Sequence, residues 1–223
     1  MNELAINGGN PVFEKKIGYG HQYIDDADIQ AVVDVLKSDF LTCGPKIDEA
    51  EAKLCEVTGA KHAVLIATGT AALHATTFAA GIGEGDEVIT TPITFAASAN
   101  CALYCGGRPV FADINPETYN IDPADIERKI TDKTKAVVAV DFTGQAVEID
   151  KIREICDKHN LIFIEDAAHS LGTKFNGKPV GGLADMTEFS FHPVKTCTAG
   201  EGGAITTNDD KLYKRLVLFR THG

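Results

Sequence analysis

One lysine, Lys195, follows the apolar, aromatic run Phe189-Ser-Phe-His-Pro-Val and precedes the glycine-rich stretch Ala199-Gly-Glu-Gly-Gly203. The pattern predicts a strand that ends near the lysine, a turn, and a second strand from Ala204 to Asn208. A lysine at the rim of a buried sheet, fenced by Phe191, Pro193 and Val194, is partly desolvated. Desolvation lowers an amine's pKa and makes it a usable nucleophile. The chemistry this suits is Schiff-base formation with a carbonyl cofactor. An ordinary surface lysine, its stem on the protein and its ammonium in water, fits the run equally well when taken alone.

Three other places offer groups of matching kind. Thr68-Gly69-Thr70-Ala71-Ala72 closes one apolar run and opens a helical one. Free N–H groups and the positive end of a helix dipole there make a phosphate cup, with the Thr68 and Thr70 hydroxyls as donors. The plainer reading is a strand-to-helix turn capped by threonine. Asp166 ends the run Leu161-Ile-Phe-Ile-Glu-Asp and is followed by Ala167-Ala-His-Ser170. A carboxylate at the carboxyl end of a parallel strand lies where α/β folds bind ligands, and calls for a cationic partner such as a protonated pyridine nitrogen. Its alternative is a helix cap. Phe95, at the end of Thr91-Pro-Ile-Thr-Phe95, offers a ring to stack on a flat cofactor, or else a core phenylalanine. Glu201-Gly202-Gly203 and His192 read as a turn and as packing.

The elements that must hold these groups alternate. Apolar, β-branched runs recur at 63–68, 87–91, 108–113, 135–141, 161–166, 187–191 and 203–207. Most are continuous rather than alternating, as strands buried on both faces are. Helical patterns lie between several of them, at 25–39, 46–57, 71–80, 95–105, 122–130, 148–159 and 209–219. The first carries Ile29, Val32, Val33 and Leu36 on one face; the sixth carries Ile149, Ile152, Ile155 and Cys156. Asp122-Pro123 gives a cap and a proline at the first helical position. Strand and helix in succession predict an α/β, three-layer αβα domain around a mostly parallel seven-stranded sheet.

Composition narrows the function. The 223 residues carry a formal charge of -11 with no lysine or arginine cluster, which argues against nucleic acid as a partner. The longest apolar runs are too short to cross a bilayer, and Met-Asn-Glu-Leu-Ala-Ile-Asn lacks the pattern of a signal peptide. The six cysteines are scattered without a C-x-x-C pair. They read as reduced thiols of a cytoplasmic protein, and no metal site is expected.

Thr68-Gly-Thr-Ala-Ala-Leu73, Thr91-Pro-Ile-Thr-Phe95, Glu165-Asp-Ala-Ala-His169, Phe189-Ser-Phe-His-Pro-Val-Lys195 and Gly200-Glu-Gly-Gly203 occur in this order. Together they resemble the DegT/DnrJ/EryC1/StrS family of sugar aminotransferases, fold-type-I enzymes that use pyridoxal 5'-phosphate. The resemblance runs from the N-terminus to Gly223. It implies that Lys195 binds the cofactor covalently and moves protons, and that Asp166 pairs with the pyridine nitrogen. It places His169 near the phenolate oxygen and Phe95 against the ring. It gives the phosphate to the backbone of Gly69, Thr70 and Ala71, with Thr70 and Ser190. Softer likenesses at Asn100-Cys-Ala-Leu-Tyr-Cys-Gly-Gly107, Thr118-Tyr-Asn-Ile-Asp122 and Val140-Asp-Phe-Thr-Gly-Gln145 imply a UDP-linked, 4-keto-6-deoxy HexNAc-type substrate. L-Glutamate is the implied amino donor and a homodimer the implied assembly.

The family continues beyond Gly223 with the rest of the large domain, a small C-terminal domain, and an asparagine that reaches the neighbouring subunit's cofactor phosphate. The expectation for residues 1–223 is therefore an N-terminal segment plus the cofactor-binding large domain, with weak cofactor binding and little activity by itself. An inactive or truncated relative is the rival reading. A dehydratase using the same cofactor is another, and Lys195 speaks against it, because the family's dehydratases carry histidine there.

Overall fold

Local sequence signals set most helix ends in this computed structural model, which describes residues 3–18 and 20–222. Asp25 caps α1 (Asp26–Leu36), accepting from the Ala27 and Asp28 amides while Asp28 bonds back. Proline opens α2 (Pro45–Thr58) and a left-handed Gly59 closes it. Strand β1 (His62–Ile66) leads to α3 (Gly69–Ala80), which Thr68 caps. Then come β2 (Glu87–Thr90), α4 (Ala97–Tyr104), β3 (Arg108–Phe111) and α5 (Pro123–Lys129), the last capped by Asp122. The chain continues through β4 (Thr134–Val140), α6 (Ile149–His159) and β5 (Ile162–Asp166). A short hairpin, β6 (Lys174–Phe175) and β7 (Lys178–Pro179), precedes β8 (Met186–Ser190), β9 (Gly203–Thr207) and α7 (Asp210–Arg220).

The seven long strands form one sheet in the order β1-β9-β8-β5-β4-β2-β3. Neighbours from β8 through β3 are parallel, and β9 runs antiparallel to both β8 and β1. The expected three-layer architecture with a mostly parallel seven-stranded sheet is what forms. Successive side chains of β5 feed opposite cores: Phe163 joins Ile126, Val137, Ile152 and Phe189, while Ile164 joins Leu73, Val88, Met186 and Ile205. Each such fully buried side chain contributes about 1.5–3 kcal/mol by leaving water. Helices α2, α5 and α6 cover the first face, and α3, α4 and α7 the second.

All seven predicted strands and seven predicted helices are present, their ends shifted by a few residues at most. The hairpin β6–β7 lay outside the expectation, since two-residue strands leave no periodic signal. The larger difference is α1. Its stripe of Ile29, Val32 and Leu36 is exposed, and no residue of the helix is buried. The periodicity correctly gave a helix, but no element among the described residues covers its apolar face.

Candidate active site

The carboxyl ends of β4, β5 and β8 and the turn after β1 open into one cleft of about 760 Å³. That volume is in the range of small-molecule and cofactor sites. Seven of the eight residues singled out in the sequence line it: Gly69, Thr70, Phe95, Asp166, His169, Ser190 and Lys195. Ala71 is not among the lining residues, and its N–H bonds the Thr68 hydroxyl that caps α3, at 3.0 Å.

Lys195 rides on the loop joining β8 to β9. Its amine lies 2.6 Å from His169 Nε2 and its own N–H bonds the His192 carbonyl. Thr196 Oγ1 donates to the His169 carbonyl at 3.0 Å, tying the loop to the segment after β5. Partial burial first, and then the charge of Lys195, push the His169 pKa below the usual histidine value; Asp166 pulls it partly back. The lowered pKa favours the neutral ring, and in the tautomer with its proton on Nδ1 the Nε2 accepts from the lysine ammonium.

Asp166 is only 5% exposed. Ser98 Oγ, on α4, donates to its Oδ2 at 2.6 Å, and the Thr94 hydroxyl stands 2.7 Å from the same serine. The Ala168 amide reaches Oδ1 at 3.3 Å. Beneath Ser98, burial and the charge of Asp166 raise the Cys101 thiol to about 12, so it stays un-ionised. Phe95, 75% exposed, stands at the rim rather than in the core.

The turn after β1 is held by two close approaches. A Cβ on Gly203 of β9 would fall 2.5 Å from the Thr68 carbonyl, and one on Gly69 would fall 2.6 Å from Glu188 Oε1 and 2.9 Å from Ser190 Cβ. Bare backbone at both positions lets the start of α3 settle onto the sheet, and its first two residues, Gly69 and Thr70, line the cleft.

Several residues of this site went unflagged in the sequence. Ser98 lay inside a small-residue helix and carried no signal for its bond to Asp166. Asp141 and Glu188 also line the cleft. Each is an acid at or inside a buried strand, which is itself a signal. Burial raises Asp141 to about 7, with Asp166 adding to the rise, while the Val147 N–H and the Ser170 hydroxyl offset part of it. Glu165, on the other side of β5, is raised well above the carboxylate range by burial and then by Asp141. Among the described residues no cluster of His, Cys, Asp and Glu has the form of a metal site, and no helix is long and apolar enough to cross a membrane.

Residues 22–223 match the DegT/DnrJ/EryC1/StrS aminotransferase family. The chain is 45% identical over 210 residues to a UDP-4-amino-4,6-dideoxy-N-acetyl-beta-L-altrosamine transaminase of Campylobacter jejuni, covering 93% of this chain and 55% of that protein. Helicobacter pylori PseC, an aminotransferase involved in the biosynthesis of pseudoaminic acid, superposes with a TM-score of 0.89 at 42% identity, over 94% of this chain and 57% of its own. Spr1654 from Streptococcus pneumoniae, in its PLP-form, gives 0.87 at 32% identity, over 92% and 57%. The chain spans about half the length of the curated relatives it matches.

Proposed function

This chain belongs to the DegT/DnrJ/EryC1/StrS aminotransferase family, and from that premise we propose that its cleft holds pyridoxal 5'-phosphate and serves transamination of a nucleotide sugar. The proposed substrate is a UDP-linked 4-keto-6-deoxy HexNAc-type sugar, which transamination would turn into a 4-amino-4,6-dideoxy sugar like the one in the name of its Campylobacter relative, with L-glutamate as donor. One observation carries the reading: the amine of Lys195, the buried carboxylate of Asp166 and the first residues of a helix line one cleft.

The residues fit the cofactor. A flat cationic ring needs a carboxylate partner, and Asp166 has no cation paired to it among the described residues. A phosphate needs donors, and the Gly69 and Thr70 amides at the start of α3, with the Thr70 and Ser190 hydroxyls, supply them. Ala71 was expected to join them, but its N–H is already engaged. Bound there, the cofactor supplies an aldehyde for attachment and a ring that delocalises electrons released at the donor's α-carbon.

Lys195 provides the attaching amine and, once freed, accepts and returns the donor's α-proton. His169, 2.6 Å away, steadies that amine and holds a neutral nitrogen toward it. Asp166 would pair with the ring nitrogen and keep its proton, its carboxylate oriented by Ser98, which Thr94 holds in turn. Phe95, at the rim of the cleft, would offer its ring to stack on the cofactor.

We further read residues 1–223 as the N-terminal segment plus the large domain, working in the cytoplasm as part of a homodimer. The open apolar stripe of α1 and the exposed Leu4, Ile6, Val12 and Phe13 are surfaces that such an assembly would cover. Borohydride reduction in the presence of pyridoxal phosphate, followed by peptide mapping, tests the site. The label should fall on Lys195 and vanish in Lys195→Ala; a label on another lysine would overturn the assignment. Light scattering on the same preparation should give twice the chain mass.

A further inference from the structure

Glu188 is a buried acid that none of the roles above uses. It lies on β8 directly beside Asp166 of β5 in the parallel register, so both side chains leave the same face of the sheet. It is 1% exposed and lines the cleft from below. Its carboxyl is wedged under the start of α3, against Gly69. No donor group reaches either of its oxygens. An ionised carboxylate left bare in such a place is strongly disfavoured. A protonated one needs only an acceptor. Asp166 is that acceptor: Ser98 satisfies one lone pair of Oδ2, and the Ala168 amide reaches Oδ1 only at 3.3 Å.

We propose that Glu188 carries the proton of a carboxylic acid–carboxylate pair, donates a hydrogen bond to Asp166, and is a positioning residue for that carboxylate. The surroundings agree. Burial, followed by the charge of Asp166, raises the Glu188 pKa well above the carboxylate range, and Lys195 on the β8–β9 loop offsets only part of the rise. The remaining groups that face the pair are the Ser190 hydroxyl, the amide end of α3, His169, and Asp141 acting on Asp166. A donated hydrogen bond stabilises a carboxylate's charge and fixes its direction. The pair then carries a single negative charge under the cleft. This second half rests on the cofactor reading: one negative charge matches the one positive charge of a protonated ring nitrogen, whereas two ionised carboxylates would leave buried charge unbalanced.

Two measurements on the intact protein separate the parts. Infrared difference spectra of cofactor-free wild type against Glu188→Gln, at pH 8, should show the loss of one protonated-carboxyl band. No lost band means Glu188 is ionised and overturns the proposal. Cofactor affinity is then measured for wild type, Glu188→Gln and Glu188→Val. Valine suits a buried strand, so that variant should fold, but it donates no hydrogen bond. It should bind pyridoxal phosphate about tenfold to a hundredfold more weakly. Glutamine can still donate through its amide and should restore most of the loss. Valine binding as tightly as wild type would refute the positioning role. Loss of the infrared band in a protein that takes up no cofactor would support the Glu188 proton and overturn the cofactor reading instead.

Discussion

Asp141 shows what burial does to one acid at the cleft. Its pKa of about 7 stands above the ordinary aspartate value. Between roughly pH 4 and 7 the folded chain therefore holds a proton that the unfolded chain has released. The stability this confers is present below the unfolded pKa and is lost as the pH rises through 7. Asp141→Asn keeps an oxygen for the Val147 amide, which bonds Asp141 Oδ1 at 2.9 Å, and never ionises. Its melting temperature should exceed that of wild type at pH 8 by at least roughly 2–4 °C, about 1 kcal/mol in a chain of this size, and the gap should shrink at pH 5. Equal gaps at both values would place the charge of Asp141 elsewhere. Lys195 and Asp166 were legible in the sequence because each follows a long apolar run whose end fixes its position. Glu188 was not, because its role depends on the strand beside it. The register that pairs it with Asp166 joins residues from separate stretches of the chain, and single-strand patterns carry no register.

At the scale of elements, β9 does more than complete the sheet. Its Gly203 touches the backbone of the Thr68–Gly69 turn so closely that an added methyl would meet the carbonyl carbon and oxygen of Thr68 at 2.5 Å and the Gly69 nitrogen at 2.7 Å. The obstacle is backbone, which cannot swing aside as a side chain would. Gly203→Ala should push the start of α3 away from the cleft. Overpacking of this kind costs about 1–3 kcal/mol. The expected result is weaker pyridoxal phosphate binding, read by titration, with a lowered melting temperature. Unchanged affinity would show that the turn can yield freely. In the sequence the Gly200-Glu-Gly-Gly203 stretch read as a turn or as part of a family motif. The reason for glycine at its last position became visible only when β9 lay next to the loop after β1. The types of the long elements, by contrast, were readable to within a few residues of their ends, since a cap such as Asp122 and continuous apolar runs are local signals.

Over the whole molecule, the layer order was readable and the strand order was not. Alternating strands and helices dictate three layers, and the two cores divide as the parity of β5 requires. The sequence also marked α1 as amphipathic, but what faces its apolar stripe is decided by surfaces outside the helix. Placing β9 antiparallel between β1 and β8 follows no local rule.

That placement sets an order of events in time. Among the described residues strand β1 pairs only with β9, and the Lys61 amide beside it bonds Asn208, 147 residues away. Strands β4 and β5, joined by one helix, close a loop shorter by roughly two doublings, and each doubling adds about 0.6 kcal/mol of closure entropy. Non-local pairings of this kind are slow to form. During refolding, the amides of β4 and β5 should become protected in pulsed hydrogen exchange before those of β1 and β9. Protection of β1 first would contradict this order. The phosphate-facing turn stands early in the chain but is set by its contact with Gly203, so the cleft becomes competent to bind only in the last step of folding.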